Sequence, residues 1–329
     1  MPRTILMGDP AHFSVRGGAN PHTRNAFGIR KRVDADRARA QWHALARELV
    51  AHGAEVCVLP PDAHRTGLVY PANAGFLFPL EGGGEKIFYL SHLLPTRAAE
   101  IEVYRPFLRA MGYQTRDIAA PFEGEADFFP AGRFMIFTHG RVERQRFVAR
   151  LGLPPWRRVY GFRSTIGALK ELEAAARGRQ ILPLELTLEA HYHGDTVVCS
   201  FGPERQYLLA YMDGLAKASR ARLEAEFGGN LIALGAGDAA LYAANSFQSE
   251  LNAILYLFMP RGVSAGLLAA VRQCGVEPVL CDASEFLAKG GGSIKCMILD
   301  LGPRAGQPDA GAGFRAAHSY ERLFGRSPA

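Results

Sequence analysis

Residues 34–61 read DADRARAQWHALARELVAHGAEVCVLPP. Asp34 stands where a helix N-cap belongs, because a short side-chain oxygen there can accept the backbone N–H groups that the first turn leaves unpaired. Ala38, Trp42, Leu45 and Leu49 recur at three- and four-residue spacing, which puts them on one stripe of a helix over 36–52. Gly53 supplies the left-handed stop. A strand over 54–59 follows at once and is closed by Pro60-Pro61. The same helix–Gly–strand order returns from Phe107 to Asp117, broken at Gly112, and from Leu267 to Cys281, broken at Gly275.

Other short apolar runs have the length of buried strands: 4–7, 86–90, 133–138, 182–188, 196–201, 231–234, 254–259 and 296–301. Helical spacing is read over 97–111, 164–177, 213–227 and 264–274. The alternation predicts a modular α/β fold whose repeated units are not evident by identity.

With 329 residues, 48% hydrophobic and 21% charged, the chain has an ordinary globular balance and can bury a large core unaided. No apolar run approaches the ~20 residues of a membrane span. The first residues lack the apolar stretch of a secretory leader, so a cytoplasmic location is the default reading. Five cysteines at wide spacing, with no C-x-x-C, speak against a disulfide framework or a structural zinc site and leave at least one free thiol. The net charge of +6 is mild. The basic runs at 30–32 and 141–150 read as solvated helix ends, and no stacking motif accompanies them, so neither nucleic acid nor a membrane is called as a partner. The body is read as 1–302, followed by a Gly-, Ala- and Pro-rich tail over 303–329 with order around Tyr320 to Phe324.

Four segments bear chemistry. In Gly290-Gly291-Gly292-Ser293-Ile294-Lys295-Cys296, glycines free the backbone before a thiol, and Lys295 could help depress its pKa; taken alone, the segment reads rather as a flexible loop into a strand with a buried cysteine. In His191-Tyr192-His193-Gly194-Asp195, alternation in extended chain puts His193 and Asp195 on one face, an acid–base and cation-binding pair or a solvated strand end. In Glu123-Gly124-Glu125-Ala126-Asp127, clustered carboxylates need cationic partners if buried; otherwise they are a surface turn. The stretches 9–22 and 69–75 carry Asn20 and Asn73, which are turn devices or amide contacts to a substrate or water. A glycine-rich run over 231–240 resembles a dinucleotide-binding turn, but the strand and acid that should follow are missing.

Together and in this order, these segments resemble the guanidine-modifying enzymes of the amidinotransferase and amidinohydrolase superfamily, nearest to dimethylarginine hydrolases and arginine dihydrolases. Ser284-Glu285-Phe286 with Lys289, the glycine run and Lys295-Cys296 is the most specific match. The resemblance implies an α/β propeller, the pentein fold, in which five ββαβ modules surround a central channel. It implies that Cys296 is the nucleophile, His193 the general acid and base, and Glu123 the carboxylate orienting the histidine. It places Asp195, Asn73, Asn20, Arg97, Arg141 and Asp127 at the substrate, with Arg97 and Arg141 on its carboxylate. A small guanidino or amidino molecule is the implied partner, no metal or organic cofactor is called for, and a homo-oligomer is left open. Three positions depart from the pattern: Gly67 and Asn73 stand where relatives carry acids, and Gly194 where they carry a bulky residue. Loss of those acids fits a substrate other than free arginine, an arginine-dihydrolase-like enzyme in which Asn73 positions water, or another amidine. An amidinotransferase and a propeller without turnover are the alternatives.

Overall fold

The computed structural model describes residues 2–16, 20–25, 27–82, 85–143, 145–150 and 153–325. Strand β1 (Arg3–Gly8) is followed by helix α1 (Ala35–Ala51) and by β2 (Glu55–Leu59), which pairs with β1 in parallel. The hairpin β3 (Gly75–Phe78) and β4 (Ile87–Leu90) is antiparallel; α2 (Ile101–Ala110) then crosses over, and β5 (Gln114–Asp117) joins β4 in parallel. The next module repeats this with β6 (Phe128–Ala131) and β7 (Phe134–His139). An antiparallel ribbon of β8 (Arg146–Arg150) and β9 (Leu153–Val159) is inserted before α3 (Leu169–Ala175) and β10 (Gln180–Glu185). Then come β11 (Val198–Phe201), β12 (Tyr207–Ala210), α4 (Lys217–Phe227) and β13 (Leu231–Ala233).

After the short α5 (Ala236–Ala240), the pattern returns in β14 (Phe247–Leu251), β15 (Ile254–Pro260), α6 (Ala265–Gln273) and β16 (Val276–Cys281). Helix α7 (Ser284–Gly290) leads to β17 (Leu299–Pro303), which pairs antiparallel with β1. The first and last strands therefore complete one module between them. Five three-stranded sheets result, each an antiparallel pair plus a third strand in parallel across a helix. That is the ββαβ unit five times over.

Helix α1 shows how the sequence builds a module. Asp34 accepts the Arg37 N–H at 3.0 Å, and Gly53 takes φ +84°, the left-handed stop. Ala38, Trp42, Leu45 and Leu49 are buried against Ile5, Val56 and Phe258. Glu285 of α7 accepts the Asp34 N–H at 2.7 Å, and Phe286 stacks on Phe13 with centroids 4.9 Å apart. The Glu285-Phe286 pair thus locks the last module onto the first.

Several sequence readings are corrected. The basic run at 141–150 contains strand β8 rather than a helix end, because its residues pair across a ribbon; Arg144 lies outside the described residues. The helix read over 164–177 is shorter, since Ile166–Ala168 form a single 3-10 turn capped by Thr165. The tail is part of the body as far as residue 325. The Val58 N–H donates to the His318 carbonyl at 2.8 Å, Tyr320 is buried beside Trp42, and buried Arg315 donates to the Met111 carbonyl at 3.0 Å. Composition hid this because α8 (Ala312–Ala317) and α9 (Tyr320–Phe324) are too short to show a period. Residues 326–329 lie outside the described residues. Among the described residues, no helix is long and apolar enough to cross a membrane.

Trp42 is fully buried, and its Nε1 has no hydrogen-bond partner. Trp42→Ala is expected to lower the unfolding free energy by about 3–5 kcal/mol through cavity formation. Trp42→Phe also deletes an unpaired donor and should cost distinctly less. Urea titration reads both, and equal losses would contradict this account.

Candidate active site

Each module's antiparallel pair is preceded by a short turn, and these turns meet. Pro71–Ala74 precedes β3, Gly124–Ala126 precedes β6, Gly194–Thr196 precedes β11, the bend ending at Asn245 and Ser246 precedes β14, and Lys295–Met297 precedes β17. The turn at 71–74 touches those at 124–126 and 295–297, and the turn at 124–126 touches that at 194–196. Asn245 closes the ring, donating to the Asp195 carbonyl at 3.3 Å and to Cys296 Sγ at 3.1 Å. Beside the turns lies one cavity of about 200 Å³, bordered by Asn73 and Cys296 from the turns themselves and by Asn20, Tyr70, Arg97, Glu123, Arg163, Tyr192 and His193 from the segments next to them, among others.

His193 and Glu123 are both buried, with Nε2 and Oε2 2.7 Å apart. Nε2 therefore carries the proton toward the carboxylate, which leaves Nδ1 as the ring atom able to exchange a proton. Burial alone would push the Glu123 carboxyl up, but the hydrogen bond and charge of His193, with Arg97 and Arg163 nearby, hold it at about 2. The Ser164 hydroxyl accepts the Glu123 N–H at 3.1 Å.

Cys296 sits in the 3-10 turn rather than in the strand that follows it. Its Sγ is 3.4 Å from Asp195 Oδ2. Asp195 Oδ1 is buried without a hydrogen-bond partner. Burial, with Asp127 nearby, raises the Asp195 carboxyl to about 6 against the pull of His193 and Lys295. Burial and the Asp195 charge hold the Cys296 thiol well above its ordinary range. Asp195 lines a smaller space of about 60 Å³ rather than the larger cavity that Cys296 borders, so the Cys296–Asp195 contact marks the boundary between the two.

The other sequence-named residues divide. Asn73 borders the cavity: Arg97 Nη1 donates to its Oδ1 at 2.7 Å, which turns Nδ2 to within 3.5 Å of His193 Nε2. Asn20 borders it too, but its amide is spent on scaffold, donating to the Tyr192 hydroxyl and the Gly290 carbonyl and accepting the His22 N–H. Arg97 lines the cavity with Nε and Nη2 committed to Glu100 at 2.9 and 2.7 Å.

Two named residues are displaced from the substrate role. Arg141 has an 81% exposed side chain paired with Glu143 and does not border the cavity, because the 140–143 backbone leads outward into the ribbon. Asp127 lies behind the site: its oxygens accept the Thr138 and Ser164 hydroxyls and the Gly194 N–H, which makes it a brace for the 193–196 turn. Lys295 is also redirected. Its Nζ pairs with Glu125 at 2.5 Å and donates to the Ile298 carbonyl, so it supports the turn rather than the thiol.

The glycines have local reasons. A Cβ on Gly194 would overlap Thr138, and one on Gly290 or Gly292 would overlap the Tyr70 ring. The run therefore makes room for Tyr70; its carbonyls accept from Asn20 and Tyr192, while the Gly291 N–H caps α7 on the Phe286 and Leu287 carbonyls. Sequence reasoning missed Tyr70, Arg163, Tyr192 and Asn245. Among the described residues, no cluster of three or more His, Cys, Asp or Glu side chains is arranged to hold a metal ion.

Comparison with known proteins agrees with this architecture. No family model matches the chain. An N(G),N(G)-dimethylarginine dimethylaminohydrolase of Mycobacterium tuberculosis is 29% identical over 302 residues, covering 92% of this chain and 86% of that protein. The binary complex of AgrE with L-arginine is similar in structure at a TM-score of 0.75 and 25% identity, covering 93% of this chain and 41% of AgrE. The N-terminal domain of ArgZ, an arginine dihydrolase from the ornithine–ammonia cycle in cyanobacteria, shares the fold at a TM-score of 0.74 and 22% identity, covering 91% of this chain and 98% of that one. The fold is a pentein α/β propeller. In sequence and fold the chain is thus similar to amidinohydrolases and arginine dihydrolases of the pentein type.

The two opposed carboxylates generate a stability prediction. Glu123 has a lowered carboxyl, so its contribution is present above the ordinary range of ~4.3 and is lost as pH falls toward 2. Asp195 has a raised one, so the folded state is favoured below ~4 and loses that advantage as pH rises through about 6. Asp195→Asn is therefore expected to stabilise the fold by about 2–3 kcal/mol at pH 8 and to change it little at pH 4. Urea titration at both pH values checks this; a variant that gains nothing at pH 8 would contradict the account of the Asp195 carboxylate.

Proposed function

We propose that this chain is a cysteine-dependent hydrolase of a guanidino compound, arginine or a derivative of it. The observation that carries the reading is Asp195: a buried carboxylate with one oxygen unpartnered, in contact with a buried thiol. A planar cation donating N–H groups to that carboxylate satisfies the orphan oxygen and brings an electrophilic carbon to sulfur. It also cancels the charge that keeps the thiol protonated, so substrate itself favours the thiolate. That the Mycobacterium relative is named for hydrolysis of dimethylarginine, and that AgrE is seen in complex with L-arginine, supports the same reading.

The steps follow from the geometry. Cys296 sulfur attacks the guanidinium carbon and forms a C–S bond. His193, oriented by Glu123, gives its proton to the departing nitrogen as the C–N bond breaks, and an amine or ammonia leaves. Water then attacks the amidino carbon and passes a proton to His193. The C–S bond breaks, and the thiolate returns as a carbonyl product departs. Glu123 stays ionised throughout and holds the ring in one tautomer, as a carboxylate does in other triads. Arg16 and Arg163 add positive charge to the cavity wall, which favours a substrate with an anionic tail.

Incubation with arginine, methylated arginines, agmatine and guanidino acids, with ammonia, amines and ureido products assayed, should reveal turnover of at least one, and Cys296→Ala should abolish it. Unchanged activity in that variant would remove the nucleophile. The dependence of kcat/KM on pH should fall on the acid side near 6, where Asp195 loses the charge that binds the cation. An acid limb lying well below 5 would separate Asp195 from cation binding.

A further inference from the structure

Four of the five turns that ring the cavity contribute a residue already discussed: Asn73, Glu125, Asp195 and Cys296 each lie two or three residues before the first strand of their module. Asn245 lies two residues before β14, at the corresponding place in the remaining module. It is fully buried, and every polar atom of its amide is engaged at the nucleophile. Oδ1 accepts the backbone N–H groups of Ser293 at 3.2 Å and of Cys296 at 3.1 Å. Two N–H donors require an oxygen between them, so the amide has one allowed orientation. Nδ2 must then face the other way, and it donates to Cys296 Sγ at 3.1 Å and to the Asp195 carbonyl at 3.3 Å. The Asn245 carbonyl also accepts the Lys295 N–H at 3.1 Å.

We propose that Asn245 is a positioning residue for catalysis, which aims the Cys296 sulfur and donates the hydrogen bond that supports it as a thiolate. This rests on the assignment of Cys296 as nucleophile. The sulfur receives a hydrogen bond from Asn245 and faces Asp195 Oδ2, so burial and the acid together hold the thiol proton. When a cation takes over Asp195, the acid no longer opposes ionisation. The Asn245 N–H then remains as a fixed donor to the developing negative charge, already in place and needing no rearrangement. Because the same amide also clamps the Cys296 and Ser293 backbone, the side chain couples sulfur orientation to the glycine run.

The test reads the thiol directly. Asn245→Asp keeps the shape and the acceptor but replaces the donor with a second acceptor; Asn245→Ala removes both. Each variant is compared with the unaltered protein for its melting temperature and for the pH dependence of inactivation by iodoacetamide and by 2-chloroacetamidine, with Cys296 labelling followed by mass spectrometry. The expected result is that folded variants show the alkylation midpoint displaced upward by at least one pH unit. At pH 7.5, labelling by the amidine should slow tenfold or more, and for any substrate turned over kcat should fall at least tenfold with KM changed less than threefold. Variants that melt like the unaltered protein and alkylate with its pH profile would overturn the proposal. Failure of the nucleophile assignment itself is distinguishable, because Cys296 would then escape preferential labelling in the unaltered protein as well.

Discussion

Burying a carboxylate and an imidazole side by side, with Oε2 and Nε2 2.7 Å apart, is costly unless each satisfies the other, and the Glu123–His193 contact imposes that condition on everything around it. Removing either partner would leave an uncompensated polar group in a buried position. The surrounding residues hold the two in register. Ser164 accepts the Glu123 N–H and donates to Asp127, which in turn accepts the Gly194 N–H next to His193. Thr138 completes this support by donating to Asp127 at 2.6 Å. A chain of short-range constraints thus runs from the sheet of β6 and β7 to the turn before β11. Gly194 fits it because Thr138 occupies the space a larger residue would need.

Asp195 is the opposite case on the same floor. Glu123 is surrounded by cations and an imidazole and is held ionised near 2, whereas Asp195 has an orphan oxygen and a carboxyl pushed to about 6. Two carboxylates of similar intrinsic acidity are separated by environment, and that separation assigns their work. One steadies a base and need not change charge. The other carries an unmet hydrogen-bonding demand that the bare fold does not meet, which is a natural place for a cationic ligand to contribute binding energy.

How much of this could be read from the chain follows from length and contrast. Helices α1 and α6 and strands β2 and β16 were legible because long amphipathic stripes ended at Gly53 and Gly275 and ran into apolar strands. Strand β5, polar over Gln114–Asp117, was legible only through the return of that order after Gly112, and β14 was not legible, because Phe247–Leu251 is short and largely polar. Missing β14 concealed its module's register, and with it Asn245, which lies at the same offset as Asn73, two residues before the strand. Aligning the modules by the turn before each antiparallel pair would have found it. Arg141 was misplaced because the β8–β9 ribbon interrupts a module, and spacing along the chain says nothing about an insertion's direction. Lys295 was misread because adjacency to Cys296 in sequence does not decide which side of a turn a side chain leaves from.

The departures at Gly67 and Asn73 acquire a common cause once Arg97 is considered. A Cβ at Gly67 would overlap Glu100, so the glycine makes room for the buried Arg97–Glu100 pair, held at 2.7 Å. A carboxylate is therefore present beside this wall, supplied from another segment and already neutralised by its arginine. Arg97, with Nε and Nη2 committed to Glu100, turns its remaining Nη1 to Asn73 Oδ1. An acid at residue 73 would accept that same hydrogen bond with charge, and its second oxygen would confront the Glu123 side of His193. The amide instead presents Nδ2 there, a donor where an acid would place negative charge. Arg97 is thereby an orienting group for Asn73 as much as a wall of the cavity, and the site keeps an unpaired carboxylate oxygen at Asp195, beside the sulfur.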